Sequence, residues 1–554
     1  MQTVEIFCEN TGAVKQYPLG ITLDAVREDM QVQLANPVLG AIVNHKVKEL
    51  PFAVVKSKHI RFIDYTHPDG QRMYVRSLKF LLYVAVREVL PDVKLLMLNG
   101  ISHGYYCELH DLGRPLNETD ITAITEAMRR LVADNVPFRK KGMLTTDAVA
   151  ELKKQGLNDK ATLFGQQGLL YSYLYYTGDY AGYFYGHLVP STGYLTNFDL
   201  SLYFDGLLLQ VPASDNFEHL CEITHLPKLL DVFKEHKKRV ELLNVHNLGM
   251  LNICVEQGRG GELIKIAEAL HEKEIVRIAD IVDRRREEMK IILIAGPSSS
   301  GKTTFSMRLA VQLAVIGITP HQISLDDYFV DREHTPRDSN GNFDFEVLEA
   351  VDVKYFTQQL TLMFHGAEVE IPRFNFLTGK REPSGRKIRM EPGHVLIVEG
   401  IHGMNPRLIP GIDERCVLRI FLSALTQISL DDHNYIPTTD NRLLRRIIRD
   451  SKYRGYPAAE TIRRWPSVRN GEERNIFPYQ ENADVMFNSA LIYELAVLKK
   501  YAEPLLKAVP ESAEEYCEAN RLLKFLSYFR HLSDHEIPPT SLIREFLGGS
   551  SFRY

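Results

Sequence analysis

The chain has 554 residues, 45% of them hydrophobic and 25% charged, with a formal net charge of −5. That length exceeds one ordinary core and requires several domains, and the balance is that of a globular protein, not of a disordered or fibrous one. The mild negative charge excludes a global nucleic-acid signature, and no apolar run reaches the roughly 18 residues that a membrane helix needs.

Met1-Gln-Thr-Val-Glu-Ile-Phe lacks the basic and then apolar start of a secretory leader. Cys8, Cys107, Cys221, Cys254, Cys416 and Cys517 lie far apart with no CxxC pair. That spacing suits a reducing compartment, so the expected location is cytoplasmic.

Residues 1–62 read as a small α+β module. Thr3-Val-Glu-Ile-Phe-Cys alternates as a half-buried strand, residues 23–30 suit a short helix, and Ala41-Ile-Val-Asn-His-Lys-Val has a hairpin rhythm. Residues 63–225 form a second α+β unit. It has helices at 77–90 and at 118–134, the latter opened by the cap-like Asn117, and tyrosines crowd residues 171–204. Residues 226–289 read as a helical linker. From 290 to 510 apolar strands alternate with amphipathic helices, the rhythm of an α/β fold with a parallel sheet. Residues 511–554 form a C-terminal helical extension.

The strongest motif is Gly296-Pro-Ser-Ser-Ser-Gly-Lys-Thr-Thr, which follows the buried strand Ile291-Ile-Leu-Ile-Ala and opens a helix. Gly296 and Gly301 permit the turn and a close backbone approach. Ser298, Ser299, Ser300 and Thr304 lie along the phosphate-facing loop and helix N-terminus, Lys302 supplies a charge at the β/γ-phosphates, and Thr303 offers a hydroxyl to magnesium. The cofactors expected are therefore ATP and Mg²⁺. Two acids end or follow other buried strands, Asp326 after His321-Gln-Ile-Ser-Leu and Glu399 after Val395-Leu-Ile-Val. Ligands of parallel sheets sit beyond the carboxyl ends of strands. Asp326 fits the carboxylate beside an acceptor hydroxyl, and Glu399 fits the acid linked to magnesium. Residues 440–474 hold ten Lys/Arg against five Asp/Glu. Arg442, Arg446 and Arg449 share a helical face, and Arg454-Gly455 breaks the helix as a mobile lid would.

These ordered motifs resemble the uridine kinase and phosphoribulokinase family over residues 290–500. Ser324-Leu-Asp326-Asp-Tyr-Phe is similar to the segment bearing the catalytic aspartate, Phe343-Asp-Phe-Glu346 to the stretch whose acid holds sugar hydroxyls, and Ile371-Pro-Arg-Phe374-Asn-Phe376 to the base wall. The resemblance implies substrate contacts from Glu346, Phe374, Phe376, Arg446, Arg449 and Arg454. It departs at Phe374 (tyrosine in the family), Gly379 (histidine) and Tyr456 (arginine). Residues 1–62 resemble the TGS module of threonyl-tRNA synthetase, a β-grasp fold. Residues 63–225 resemble its editing domain through Leu90-Pro-Asp-Val-Lys-Leu, Gly104-Tyr-Tyr-Cys-Glu-Leu and Val189-Pro-Ser-Thr-Gly. The editing HxxxH positions hold Arg76 and Phe80 and the CxxxH positions Phe184 and Leu188, with His187 out of register, so hydrolytic editing is not expected.

The expectation is an ATP-dependent nucleoside kinase acting on the 5′-hydroxyl of uridine or cytidine. Two alternatives stand beside it: a kinase for another sugar or small alcohol, and an RNA- or tRNA-binding regulator whose P-loop serves as a nucleotide switch. The expected partner is a small-molecule nucleoside, with no membrane. Nucleic-acid binding by the N-terminal region is disfavoured by its charge, and self-association is left open.

Overall fold

A computed structural model describes residues 2–337, 341 and 343–553. The first unit is a five-stranded sheet in the order Ala13–Pro18, Thr3–Cys8, Lys58–Ile63, Gly40–Val43, Lys46–Lys48. Alternation puts Val4, Ile6 and Cys8 inward, against Leu23 and Val26 of the helix Leu23–Asp29. The hairpin turns at Asn44 and His45, both in the left-handed region, as its tight turn requires.

The helix Pro68–Val89 starts earlier than its apolar stripe suggests, because Pro68 takes the first helical position and His67 caps it. It lies beneath two antiparallel sheets. One has the order Asp199–Tyr203, Gly206–Gln210, Gly104–His110, Lys94–Ile101; the other has Arg139–Leu144, Tyr171–Thr177, Tyr180–Gly182. Asn117 and Asp120 form a reciprocal cap on the helix Glu118–Ala133. Helices Pro227–Leu243, Leu248–Glu256 and Gly260–Arg284 follow.

The C-terminal unit is a five-stranded parallel sheet in the order Thr319–Ser324, His394–Glu399, Ile291–Ala295, Val417–Ser423, Val485–Asn488. Every residue of Ile291–Ala295 and Val417–Ser423 is buried, as a sheet covered on both faces demands. None of the described helices is long and apolar enough to cross a membrane.

The two halves are continuous. Leu78 and Leu81 of the helix Pro68–Val89 belong to the same apolar cluster as Leu443 and Ile447 of the helix Thr438–Tyr453, Trp465 of Ala458–Asn475 and Phe525 of Tyr516–Leu526. Across the same junction the fully buried Lys160 ammonium donates to Asp431.

Candidate phosphoryl-transfer site

The phosphate loop runs from Ile291–Ala295 into the helix Lys302–Val315. Gly296 passes so close to the neighbouring strand that a Cβ there would lie 2.1 Å from the Leu422 carbonyl oxygen. Gly301 takes φ +88° and Ser299 φ +59°, so the loop holds the left-handed turns that a phosphate cradle requires. The Ser299 and Ser300 hydroxyls are buried with no hydrogen-bond partner among the described residues. The Lys302 ammonium folds back to donate to the Gly296 carbonyl at 2.9 Å. Unpartnered hydroxyls, a helix N-terminus and a local cation suit an anionic phosphate chain.

The carboxylates gather where the strand ends converge. Glu399 closes its strand in register with Ile294 on one side and Ser324 on the other, and its Oε1 accepts from the Thr303 hydroxyl at 3.4 Å. Burial, reinforced by Asp326 and Glu545, raises the Glu399 carboxyl to about 7 against the opposing pull of Lys302. Asp326 is reachable by solvent, yet its crowded surroundings and Asp327 raise its carboxyl while Lys302 and Arg454 oppose this. Glu346 packs on Gly471, where a Cβ would come within 2.8 Å of it. Burial and the neighbouring Glu472 raise Glu346 to about 7, with Arg446 pulling the other way. Among the described residues no three His, Cys, Asp or Glu side chains form a metal-holding group. The Thr303–Glu399 pair still fits magnesium, which takes one or two protein ligands and fills its sphere with phosphate oxygens and water.

The helix Thr438–Tyr453 corrects the reading of a freely mobile arginine lid. Arg442 and Arg445 are fully buried and held by Glu472 and Glu494. They brace the loop from behind: Arg442 Nε donates to the Ser298 carbonyl at 2.9 Å and Arg445 to the Ser299 carbonyl at 3.3 Å. Arg446 donates to the Ser298 hydroxyl at 2.6 Å, while Arg449 and Arg454 lean on Asp450 at 2.9 and 3.5 Å. The helix does end before Gly455, at φ +69°. Phe374 also departs from expectation. It lies in the core against Phe329 and Phe345 and is 4% exposed, whereas Phe376 is 58% exposed.

Three acids escaped sequence reasoning. Glu472 accepts from the Ser298 amide at 2.9 Å, and Glu494 neutralises Arg445 at 2.6 Å. Glu545, in the short helix Arg544–Leu547, accepts from the Thr304 hydroxyl at 2.7 Å and its amide at 3.4 Å. These contacts join segments far apart in the chain, and no local pattern marks them.

Residues 291–494 match the model of the Phosphoribulokinase / Uridine kinase family. The N-terminal region is similar to threonine–tRNA ligases. That of Desulforamulus reducens is 27% identical over 191 residues, which cover 34% of this chain and 30% of the relative. That of Polynucleobacter asymbioticus is 29% identical over 191 residues, with the same two shares. The chain thus spans about 30% of the length of these relatives. Among solved structures, a possible uridine kinase from Bacillus stearothermophilus aligns with a TM-score of 0.25 and 20% identity, covering 36% of this chain and 89% of that one. The chain joins a P-loop kinase domain resembling that family to a threonine–tRNA ligase-like N-terminal region.

Proposed function

We propose that the chain is an ATP-dependent kinase that phosphorylates the 5′-hydroxyl of a nucleoside, uridine or cytidine in the first instance. The observation that carries this reading is the meeting of the phosphate loop, the Thr303–Glu399 pair and Asp326 at the ends of adjacent parallel strands. In this reading Lys302 and the loop amides hold the β- and γ-phosphates. Asp326 accepts the proton as the acceptor oxygen bonds to the γ-phosphorus, and the bond to the bridging oxygen breaks to release ADP. Arg446 and Arg454 face the developing charge, and Glu346 receives the ribose hydroxyls. Magnesium at Thr303 and Glu399 would supply charge neutralisation on the phosphates.

Burial of Phe374 takes one ring out of the expected base wall, which keeps another sugar or small alcohol as the alternative acceptor, while the exposed Phe376 can still stack on a base. A panel of nucleosides, phosphosugars and small alcohols with purified protein and ATP separates these acceptors. Asp326→Asn is expected to lower turnover by roughly 10²–10⁴-fold while ATP affinity changes less than about threefold. Full turnover in that variant would remove Asp326 from the role. A cytoplasmic location accords with six cysteines that are all unpaired.

A further inference from the structure

A second concentration of positive charge lies in the N-terminal half. Arg76 of the helix Pro68–Val89, Lys140 of the strand Arg139–Leu144, Lys524 of the helix Tyr516–Leu526 and Lys48 of the strand Lys46–Lys48 converge from four elements. Asp69 acts on Arg76, and the carboxylate that answers the three lysines is Glu49. It accepts from His187 Nδ1 at 3.1 Å and from the Tyr175 hydroxyl, lies 3.6 Å from the Lys140 ammonium, and is pulled down to about 2. Arg76, Lys48 and Lys524 make no ion pair among the described residues. The nearby Arg72 and Arg521 are already neutralised by Asp69, Glu518 and Asp440.

This imbalance is built in. Gly186, at φ +121°, lets the Arg76 guanidinium lie where a Cβ would come within 2.4 Å, and Arg76 donates to the His187 carbonyl at 3.2 Å. Burial together with the neighbouring cations pushes Lys524 down to about 8, although its side chain still reaches solvent. Arg76, Lys48 and Lys524 have no ion pair of their own among the described residues, so the group carries an excess of positive charge that attracts an anion.

An aromatic surface adjoins the cations. Tyr171 and Tyr173 project on the same strand face as Tyr175 and are 60% and 56% exposed. The Lys140 ammonium lies 5.5 Å from the Tyr173 ring centroid. Gly142, paired with Tyr173 across the strands, leaves room for that ring, since a Cβ there would come within 2.9 Å of it.

We propose that this basic, tyrosine-edged surface is a second ligand site that binds a free nucleotide, its phosphate held by Arg76, Lys140 and Lys524 and its base stacked on Tyr173. The site is separate from the phosphate loop and stands whether or not that loop phosphorylates nucleosides.

The test is isothermal titration calorimetry on the full chain at low salt with UMP, AMP and inorganic pyrophosphate, in a Lys302→Ala background that weakens the phosphate loop. UMP or AMP should still bind there, and Lys140→Ala or Lys524→Ala should each weaken it by about tenfold or more. Tyr173→Ala should weaken the nucleotide while pyrophosphate binding stays unchanged. These side chains reach solvent, and an unaltered melting temperature confirms that each variant is folded. The proposal fails if no probe binds in the Lys302→Ala background or if the two lysine variants bind as their parent does. It also fails if a tRNA transcript binds but free nucleotides neither bind nor compete.

Discussion

Glu346, Asp326 and Glu399 come from separate segments, yet the fold shifts all three carboxyls upward by desolvation and by neighbouring carboxylates: Asp327 on Asp326, Glu472 and Asp326 on Glu346, and Asp326 and Glu545 on Glu399. Glu346 has a consequence that can be measured without substrate. Its carboxyl rises from an ordinary 4.5 to about 7, so the folded protein holds that proton more tightly than the unfolded chain does. Stability is therefore greatest below the unfolded value and falls as pH rises through this interval. Glu346→Gln removes the titration. Between about pH 5 and pH 8 the variant should lose less stability than the parent, by on the order of 1 kcal/mol once partial solvent screening is allowed for. Parallel melting curves for the two proteins across that range would refute the assignment. Asp326 and Glu399 were legible in the sequence because each follows a buried strand. Glu472 and Glu494 were not, because their roles arise from contacts with Ser298 and Arg445 made only after the chain has folded.

At the scale of elements, the helix Thr438–Tyr453 shows how an amphipathic pattern can mislead. Its arginine spacing suggested a mobile lid that recognises an anion, but Arg442 and Arg445 are buried and lock the phosphate loop through the Ser298 and Ser299 carbonyls. Removing Glu472 or Glu494 would leave a buried guanidinium without its counter-charge, which explains why both acids accompany the helix. The C-terminal helix Arg544–Leu547 acts on the other side of the loop. Glu545 occupies the amide and hydroxyl of Thr304 at the N-terminus of the helix Lys302–Val315, a position that favours any anion, including a phosphate. Its carboxylate and ATP should compete. Glu545→Gln is expected to tighten ATP binding by about three- to tenfold, read by calorimetry or by the KM for ATP. Weaker binding in that variant would instead make Glu545 a supporting contact for the nucleotide or its metal.

At the scale of the whole molecule, a ladder of ion pairs runs through the junction of the halves. Arg72 on the helix Pro68–Val89 contacts Glu518 at 2.9 Å, Glu518 contacts Arg521 at 2.6 Å, and Arg521 contacts Asp440 at 2.7 Å, in the first turn of the helix that bears the loop-bracing arginines. The same junction buries Trp465, Leu443 and Phe525 together with Leu78 and Leu81. The N-terminal half therefore supplies part of the kinase unit's own core. Residues 288–554 expressed alone should expose that apolar surface, bind a hydrophobic dye strongly and aggregate on concentration. A soluble fragment with the kinetic constants of the full chain would show that the shared core is dispensable.

By itself the sequence determined the phosphate loop, the strands beside it, the acids at their ends and the expectation of a parallel α/β unit after an α+β front. Each of these depends on local spacing, on glycines at fixed offsets or on periodic apolar residues. Tertiary structure alone decided which arginines face solvent and which brace the loop, and that Phe374 is core. It also decided that Glu545 meets Thr304 and that three lysines from separate elements gather about Glu49. Such outcomes depend on burial and through-space charge between segments up to hundreds of residues apart, which no window of the chain contains.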